Sequence, residues 1–285
     1  MEEDPELLEC LGWVMGGTMS NRVAIVTGAS AGIGLSVARR LHGRGWAVVG
    51  ASRRGTGSDA WTSVVMDVND DQSVADGVQG VVVEHGRVDA VVANAGWGLA
   101  GAVEQTPITE AKAQLETNFW GAVRLVQAVL PTMRRQGSGR IVFISSIGGV
   151  IGLPFQAFYS ASKFALEGYG EALAYEVAPF GIQVSLVQPG NVRTDFTGSR
   201  RQVSAPKDDD PYVNAVAKAI GVMEHDEANG ISPDKVAVVV EKLLNSARPR
   251  RRVSVGKVGE RVVLPAKRLL PYRVFEGAAK TSLGV

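Results

Sequence analysis

Val23-Ala24-Ile25-Val26-Thr27-Gly28-Ala29-Ser30-Ala31-Gly32-Ile33-Gly34 runs from four apolar residues into a turn with three glycines. Leu35, Val37, Ala38 and Leu41 follow at roughly helical spacing, with Arg39 and Arg40 on the opposite face. The pattern predicts a buried strand, a tight turn and the start of a helix. Gly28 and Gly32 allow backbone angles and close approaches that a β-carbon would block. A helix starting there offers free N–H groups and the positive end of its dipole to a phosphate.

The glycine spacing, G-x-x-x-G-x-G, departs from the G-x-G-x-x-G dinucleotide fingerprint. Gly28 to Gly32 also spells G-x-S-x-G, the nucleophile elbow of a serine hydrolase. That rival needs an acid and then a histidine downstream, and several strands upstream. The chain holds only His42, His85 and His225, and leaves no room for strands before Val23. The elbow is set aside.

A length of 285 residues suffices for a substantial core in one large domain or two small ones. With 45% hydrophobic and 21% charged residues, the composition is that of a soluble globular protein. Lys and Arg number 30 against 29 Asp and Glu, so no global field favours nucleic acid or an anionic membrane. A lone cysteine, Cys10, excludes an intrachain disulfide framework, and no Cys/His cluster has metal-ligand spacing, so no metal is expected. No apolar run reaches membrane-spanning length. Residues 1–20 form an N-terminal extension that is acidic where a signal peptide would be basic. A cytoplasmic protein is the expectation.

Further strands are predicted at 46–52, 64–68, 88–93, 140–146, 183–187 and 252–255, with helices at 74–85, 108–133, 157–178 and 232–244. Strands that are apolar throughout, alternating with helices, imply a parallel sheet covered on both faces. The expected fold is α/β: a single doubly wound (Rossmann) domain over 21–285, with about seven strands and its ligands at their carboxyl ends. Residues 191–230 include a polar, mixed insertion after the sixth strand, with one helical patch at 212–223, and are expected to form a substrate lid. Residues 256–285, with Leu264, Leu269, Leu270 and Tyr272, are expected to dock on the body.

Tyr159 and Lys163 stand four apart at the start of a predicted helix and share one face. A phenol loses its proton near pH ~10, and an ammonium beside it favours the phenolate. Such a tyrosine can give a proton to a carbonyl oxygen or take one from an alcohol. Ser146 ends the preceding predicted strand, where its hydroxyl can bond the same oxygen. Asn118 sits mid-helix among Phe119, Trp120, Ala122 and Val123. Asparagine is a poor helix former, so burial with a water or a kink is expected there.

Thr27 to Gly34, Asn94-Ala95-Gly96, Asn118, Ser146, Tyr159-x-x-x-Lys163 and Pro189-Gly190 together resemble the short-chain dehydrogenase/reductase family, in order over residues 21–255. The resemblance implies that Tyr159 is the catalytic acid/base and that Lys163 lowers its pKa and binds the nicotinamide ribose. It implies that Ser146 orients the substrate oxygen and Asn118 holds a water in a proton relay. For the cofactor it implies Gly28, Ser30, Ile33 and Gly34 at the phosphates, Asn94, Ala95 and Gly96 beside the adenosine ribose, and Asp67 and Val68 at the adenine. Pro189, Gly190, Val192 and Thr194 would contact the nicotinamide carboxamide. The family's usual assembly is a homodimer or homotetramer.

NAD sites place an acid at the end of the second strand, and NADP sites place cations there. Here the position reads Ser52-Arg53-Arg54, with no acid before Asp59, and guanidinium suits a phosphate dianion. NADP(H) is favoured over NAD(H), although Ala31 stands where some NADP-dependent members carry a lysine or arginine. The regions around Phe119 to Gly121 and Ile147 to Phe155, and the C-terminal part, are similar to the hydroxysteroid and retinol dehydrogenase branch. Ile151, Leu153, Phe155 and Phe158 are expected to rim a pocket for a hydrophobic ketone or alcohol. A non-redox sensor or scaffold, or an elimination or cyclisation at the same site, is the alternative.

Overall fold

Strand β1 (Val23–Thr27) is buried along its whole length, as its uninterrupted apolar sequence requires. The computed structural model describes residues 22–58, 60–203, 210–271 and 273–277. The predicted N-terminal extension, Cys10, Asp59 and Tyr272 lie outside them. The other strands are β2 (Ala47–Ser52), β3 (Thr62–Val65), β4 (Ala90–Ala93), β5 (Leu99–Ala100), β6 (Gly139–Ile144), β7 (Ile182–Pro189), β8 (Arg201–Gln202) and β9 (Arg252–Val255). Seven of them form one parallel sheet in the order β3-β2-β1-β4-β6-β7-β9, and β5 pairs with β8 apart from it.

The helices are α1 (Gly32–His42), α2 (Asp71–His85), α3 (Ile108–Leu115), α4 (Gly121–Gln136), α5 (Ala157–Val177), α6 (Phe196–Ser199), α7 (Val213–Ala228), α8 (Pro233–Asn245) and α9 (Val258–Leu269). One face of the sheet is packed by Val74 and Val78 of α2, Leu125 and Val129 of α4, and Leu166 and Leu173 of α5. The other is packed by Val37 and Leu41 of α1 and Val236, Val240 and Leu243 of α8. Each such side chain contributes about 1.5–3 kcal/mol through burial. The expected single doubly wound α/β domain is therefore the observed one. Among the described residues, no helix is long and apolar enough to cross a membrane.

The differences from the predicted elements are local. β3 lies two residues earlier than predicted, and the buried Met66 and Val68 belong to the connection that follows it. β6 ends at Ile144, so Ser146 is not a strand residue but caps a short 3₁₀ turn over Ile147–Gly149. The helix predicted over 108–133 is two helices joined by one π-helical turn at Glu116–Trp120. Asn118 lies buried inside that turn.

From β1 the chain builds outward to β3, then returns to place β4 on the other side of β1. That reversal opens a crevice at the carboxyl ends of β1 and β4. Thr27 spans it: its Oγ1 accepts from the N–H groups of Asn94 (3.0 Å) and Ala95 (3.1 Å). Asn94 Nδ2 donates back to the Thr27 carbonyl at 2.9 Å.

The turn after β1 is equally tight. Gly28 has φ +66°, and a β-carbon on it would meet Asn94 Nδ2 at 2.8 Å. A β-carbon on Gly34 would meet the Gly28 carbonyl oxygen at 2.2 Å. Gly34→Ala is expected to destabilise the protein by about 1–3 kcal/mol in thermal or urea unfolding. Gly80→Ala, in the exposed middle of α2 with nothing within 4 Å, should instead stabilise it by about 0.5–1 kcal/mol.

Candidate active site

The crevice widens into a cavity of about 1080 Å³. Gly28, Ser30, Ile33, Ser52, Arg53, Arg54, Asp67, Val68, Asn94, Ala95 and Gly96 line one end. Asn118, Ser146, Tyr159, Lys163, Pro189, Gly190, Val192 and Thr194 line its middle. Of the residues predicted for catalysis and the cofactor, Gly34 alone does not reach the cavity; it packs behind Gly28. Ile151 and Leu153 line the wall, but Phe155 and Phe158 do not. Phe155 instead takes a left-handed backbone (φ 58°), and its carbonyl accepts from Gly101 N. The apolar rings at the wall are those of Phe196 and Phe275. No histidine lines the cavity among the described residues, so nothing there completes the hydrolase elbow.

The first end has the chemistry of a phosphate cradle. Helix α1 starts after Ala31, which caps nothing with its side chain, and its first turn carries no acid. Its leading N–H groups and dipole thus face the cavity without a protein anion. Gly32, at φ +55°, lies against Thr194: a β-carbon there would come within 3.3 Å of the Thr194 side chain. Arg53 and Arg54 stand exposed at the end of β2, while the Ser52 hydroxyl donates to the Gly55 carbonyl at 2.6 Å. These residues fit the phosphates of a dinucleotide.

The middle of the cavity holds the titratable groups. Tyr159 and Lys163 project from the first turns of α5, Tyr159 half-buried and Lys163 buried. Lys163 Nζ donates to the Ile144 carbonyl at 2.9 Å and lies 5.8 Å from the centre of the Tyr159 ring. Burial lowers the Lys163 ammonium to about 8, with the Glu167 carboxylate opposing that fall. Burial pushes the Tyr159 phenol up. Its hydrogen bond with Ser146 pulls it back, the Glu227 carboxylate adds to the rise, and Arg200 offsets it. The net direction at Tyr159 is upward, opposite to the phenolate-favouring effect expected from the lysine spacing. Ser146 Oγ also accepts from Gly148 N at 3.0 Å, which fixes the hydroxyl beside the ring.

Asn118 lines the cavity with its amide bonded to the protein around it. Its Oδ1 accepts from Trp97 N (3.0 Å), and its Nδ2 donates to the Trp97 carbonyl (3.0 Å) and to Ser162 Oγ (3.1 Å). Ser162 in turn donates to the Tyr159 carbonyl at 2.6 Å. The side chain is a clamp joining the segment after β4 to the first turn of α5.

Residues 22–205 match the family model described as short chain dehydrogenase. The chain belongs to the short chain dehydrogenase family. It is 39% identical to the 3-ketodihydrosphingosine reductase of Bacteroides thetaiotaomicron, over 92% of this chain and 98% of that one. Retinol dehydrogenase 8 of Bos taurus is 39% identical over 82% of this chain and 81% of its own. The crystal structure of a short-chain dehydrogenase from Streptomyces avermitilis superposes with a TM-score of 0.78 at 32% identity, over 92% of this chain and 99% of that one. Members of this family are oxidoreductases that use nicotinamide cofactors.

The dehydrogenase fold brings residues to the cavity that the sequence patterns did not single out, among them Trp97, Asp226, Glu227 and Glu260. Asp226 and Glu227 lie on the last turn of α7, beyond the helical patch legible at 212–223. Glu260, on α9, accepts from Asn191 Nδ2 at 2.8 Å and so brings the C-terminal segment against the Pro189–Thr194 stretch. No spacing in the sequence announces such a long-range pair.

Removing the clamp amide by Asn118→Ala leaves the Trp97 N–H without its acceptor, while the Trp97 carbonyl keeps its bond from Gln114 Nε2 at 2.7 Å. Each unsatisfied group costs about 1–3 kcal/mol, so urea unfolding is expected to show a loss of that order or more. Asn118→Asp, which keeps the acceptor for Trp97 N but sets a buried carboxylate oxygen against the Trp97 carbonyl, should cost at least as much as Ala.

Proposed function

We propose that this chain is an NADP(H)-dependent oxidoreductase that interconverts a ketone or aldehyde and an alcohol on a hydrophobic substrate, with Tyr159 as acid/base. The observation that carries the proposal is the meeting, in one cavity, of the Tyr159–Ser146–Lys163 cluster and an uncapped helix start with glycine turns. A bound nicotinamide would supply or accept the hydride. The protein's own part is to hold the carbonyl oxygen between the Ser146 and Tyr159 hydroxyls and to pass a proton to it.

The upward shift at Tyr159 keeps its proton in place at neutral pH, as a donor to a carbonyl oxygen requires. Lys163, titrating at about 8, is still largely charged at that pH and holds the donor wall through Ile144. Both features favour carbonyl reduction. Arg53 and Arg54 at the cradle support a cofactor with an additional phosphate. The names of the two relatives, a ketodihydrosphingosine reductase and a retinol dehydrogenase, support a largely apolar substrate. Residues 191–230 would act as its lid, α7 lining the cavity with Val222 and Met223. The exposed rings of Trp120, Phe164 and Tyr175 support assembly with further copies of the chain.

The test is oxidation of NADPH or NADH, followed at 340 nm, against bulky apolar ketones. NADPH should be preferred, and Tyr159→Phe should lower turnover by about 10²-fold or more while leaving cofactor binding in place. Cofactor binding without turnover of any ketone or alcohol would overturn the reductase function. Replacing both Arg53 and Arg54 by Glu should shift preference toward NADH by about tenfold or more, the scale of one charge-assisted hydrogen bond. An unchanged ratio would overturn the cofactor assignment.

A further inference from the structure

Helix α9 has no fully buried residue, although Val258, Val262, Val263, Leu264 and Leu269 make it strongly apolar. Its apolar residues are divided between two sides. Val263 and Ala266 line the cavity together with Glu260. Val258, Val262, Pro265 and Leu269 recur at the i, i+4, i+7, i+11 spacing of a single helical stripe, and none of them lines the cavity. Val258 is 76% exposed, Val262 55% and Leu269 81%, and Pro265 is exposed as well.

The contacts that hold the helix turn this stripe outward. Glu260 accepts from Asn191 Nδ2, and Lys267 donates to the Val150 carbonyl and lies 5.2 Å from the centre of the Phe164 ring on α5. At about 100° per residue, Glu260 and Lys267 stand roughly half a turn from the stripe, so the body of the protein holds the opposite side. Arg261 and Arg268 border the stripe along one edge; both are exposed, and neither forms an ion pair among the described residues. The Arg251 and Arg268 charges act on Glu171, which is itself bonded to Arg252 at 2.6 Å. Residues 248–277 carry nine Lys and Arg against two acids, Glu260 and Glu276, in a chain whose net charge is +1. Positive charge that the whole composition balances is therefore concentrated around this helix.

We propose that the α9 stripe docks on an anionic lipid surface: Val258, Val262 and Leu269 enter the bilayer interface while Arg261 and Arg268 meet the lipid phosphates. The helix has what interfacial binding requires, an apolar stripe with flanking arginines and few acids. Cations near such a surface are drawn to it, whereas a second copy of the chain would set this face against like charge. Docking places the lipid on one side of α9 and the cavity on the other. The docking surface does not depend on the reaction proposed above.

The experiment sediments the full chain with vesicles of phosphatidylcholine alone and with vesicles of equal parts phosphatidylcholine and phosphatidylglycerol. Affinity for the anionic vesicles is expected to be higher by about tenfold or more, and about 0.5 M salt should remove most of that difference. Arg261→Ser with Arg268→Ser should weaken binding to the anionic vesicles about tenfold or more, near fivefold for each cation lost. Val262→Asp with Leu269→Asp should weaken it at least as much, whereas Val83→Asp, at a 76% exposed valine of α2, should leave it unchanged. Should the paired aspartates fail to fold, Val262→Ser with Leu269→Ser should weaken binding in the same sense. Equal affinity for the two vesicles, or no binding to either, would overturn the proposal, as would variants that bind as the unaltered chain does. A dimer in solution that Leu269→Asp splits, with no vesicle binding by the unaltered chain, would assign the stripe to a second copy and overturn lipid docking.

Discussion

A single hydroxyl ties the two halves of the sheet together where the site is made. Thr27 Oγ1 accepts two N–H groups from the segment after β4, and its carbonyl accepts the Asn94 amide. From there the backbone through Trp97 leads into a second set of polar contacts. Asn94 lies over Gly28; the clamp of Asn118 holds Trp97; Ser162 connects Asn118 to the Tyr159 carbonyl. The phosphate cradle and the proton donor are thus mechanically one object. Their separation is set by strand spacing and short hydrogen bonds rather than by loops.

Burial does two kinds of work at the opposite end of that chain. It drives the Lys163 ammonium down and the Tyr159 phenol up, the directions that disfavour charge in each. Lys163 stays in place because its Nζ finds the Ile144 carbonyl and because Glu167 lies one turn further along α5. Glu167 is itself held by Gln188 at 3.0 Å and by Arg252 at 2.7 Å. The last strand of the sheet therefore reaches the site through Arg252, although no residue of β9 lines the cavity.

The alternation of apolar strands with helices was enough to reveal the fold, because a parallel sheet buried on both faces leaves a continuous hydrophobic run in each central strand. Edge and boundary effects were less legible. β3 is half exposed and short, so its apolar run drew the predicted strand toward Met66 and Val68, which are buried outside the ladder. Tyr159, Lys163, Ser146 and the glycine turn were legible because each occupies a fixed step along the chain from a strand end or a helix start. Glu227 and Arg200 were not, since a polar segment between two helices has no periodicity to separate a buried ion pair from a solvated one. The pocket phenylalanines were misassigned for a related reason: Phe155 sits where the backbone turns left-handed, and sequence proximity to Ile151 and Leu153 says nothing about where the turn sends it.

The π-helical turn at Glu116–Trp120 places an extra residue in what would otherwise be one continuous helix. An α-helix advances by 3.6 residues per turn, so one surplus residue rotates everything before it by about 100° relative to everything after it. A regular helix would set Gln114 on nearly the same face as Leu125; the surplus residue turns Gln114 off that face toward the Trp97 carbonyl while α4 keeps Leu125 and Val129 against the sheet. The helix is out of phase with itself, and Asn118 sits at the seam. Its length is consequently not free to drift: losing any one residue between Glu116 and Trp120 would restore a regular helix and turn α3 away from the cavity.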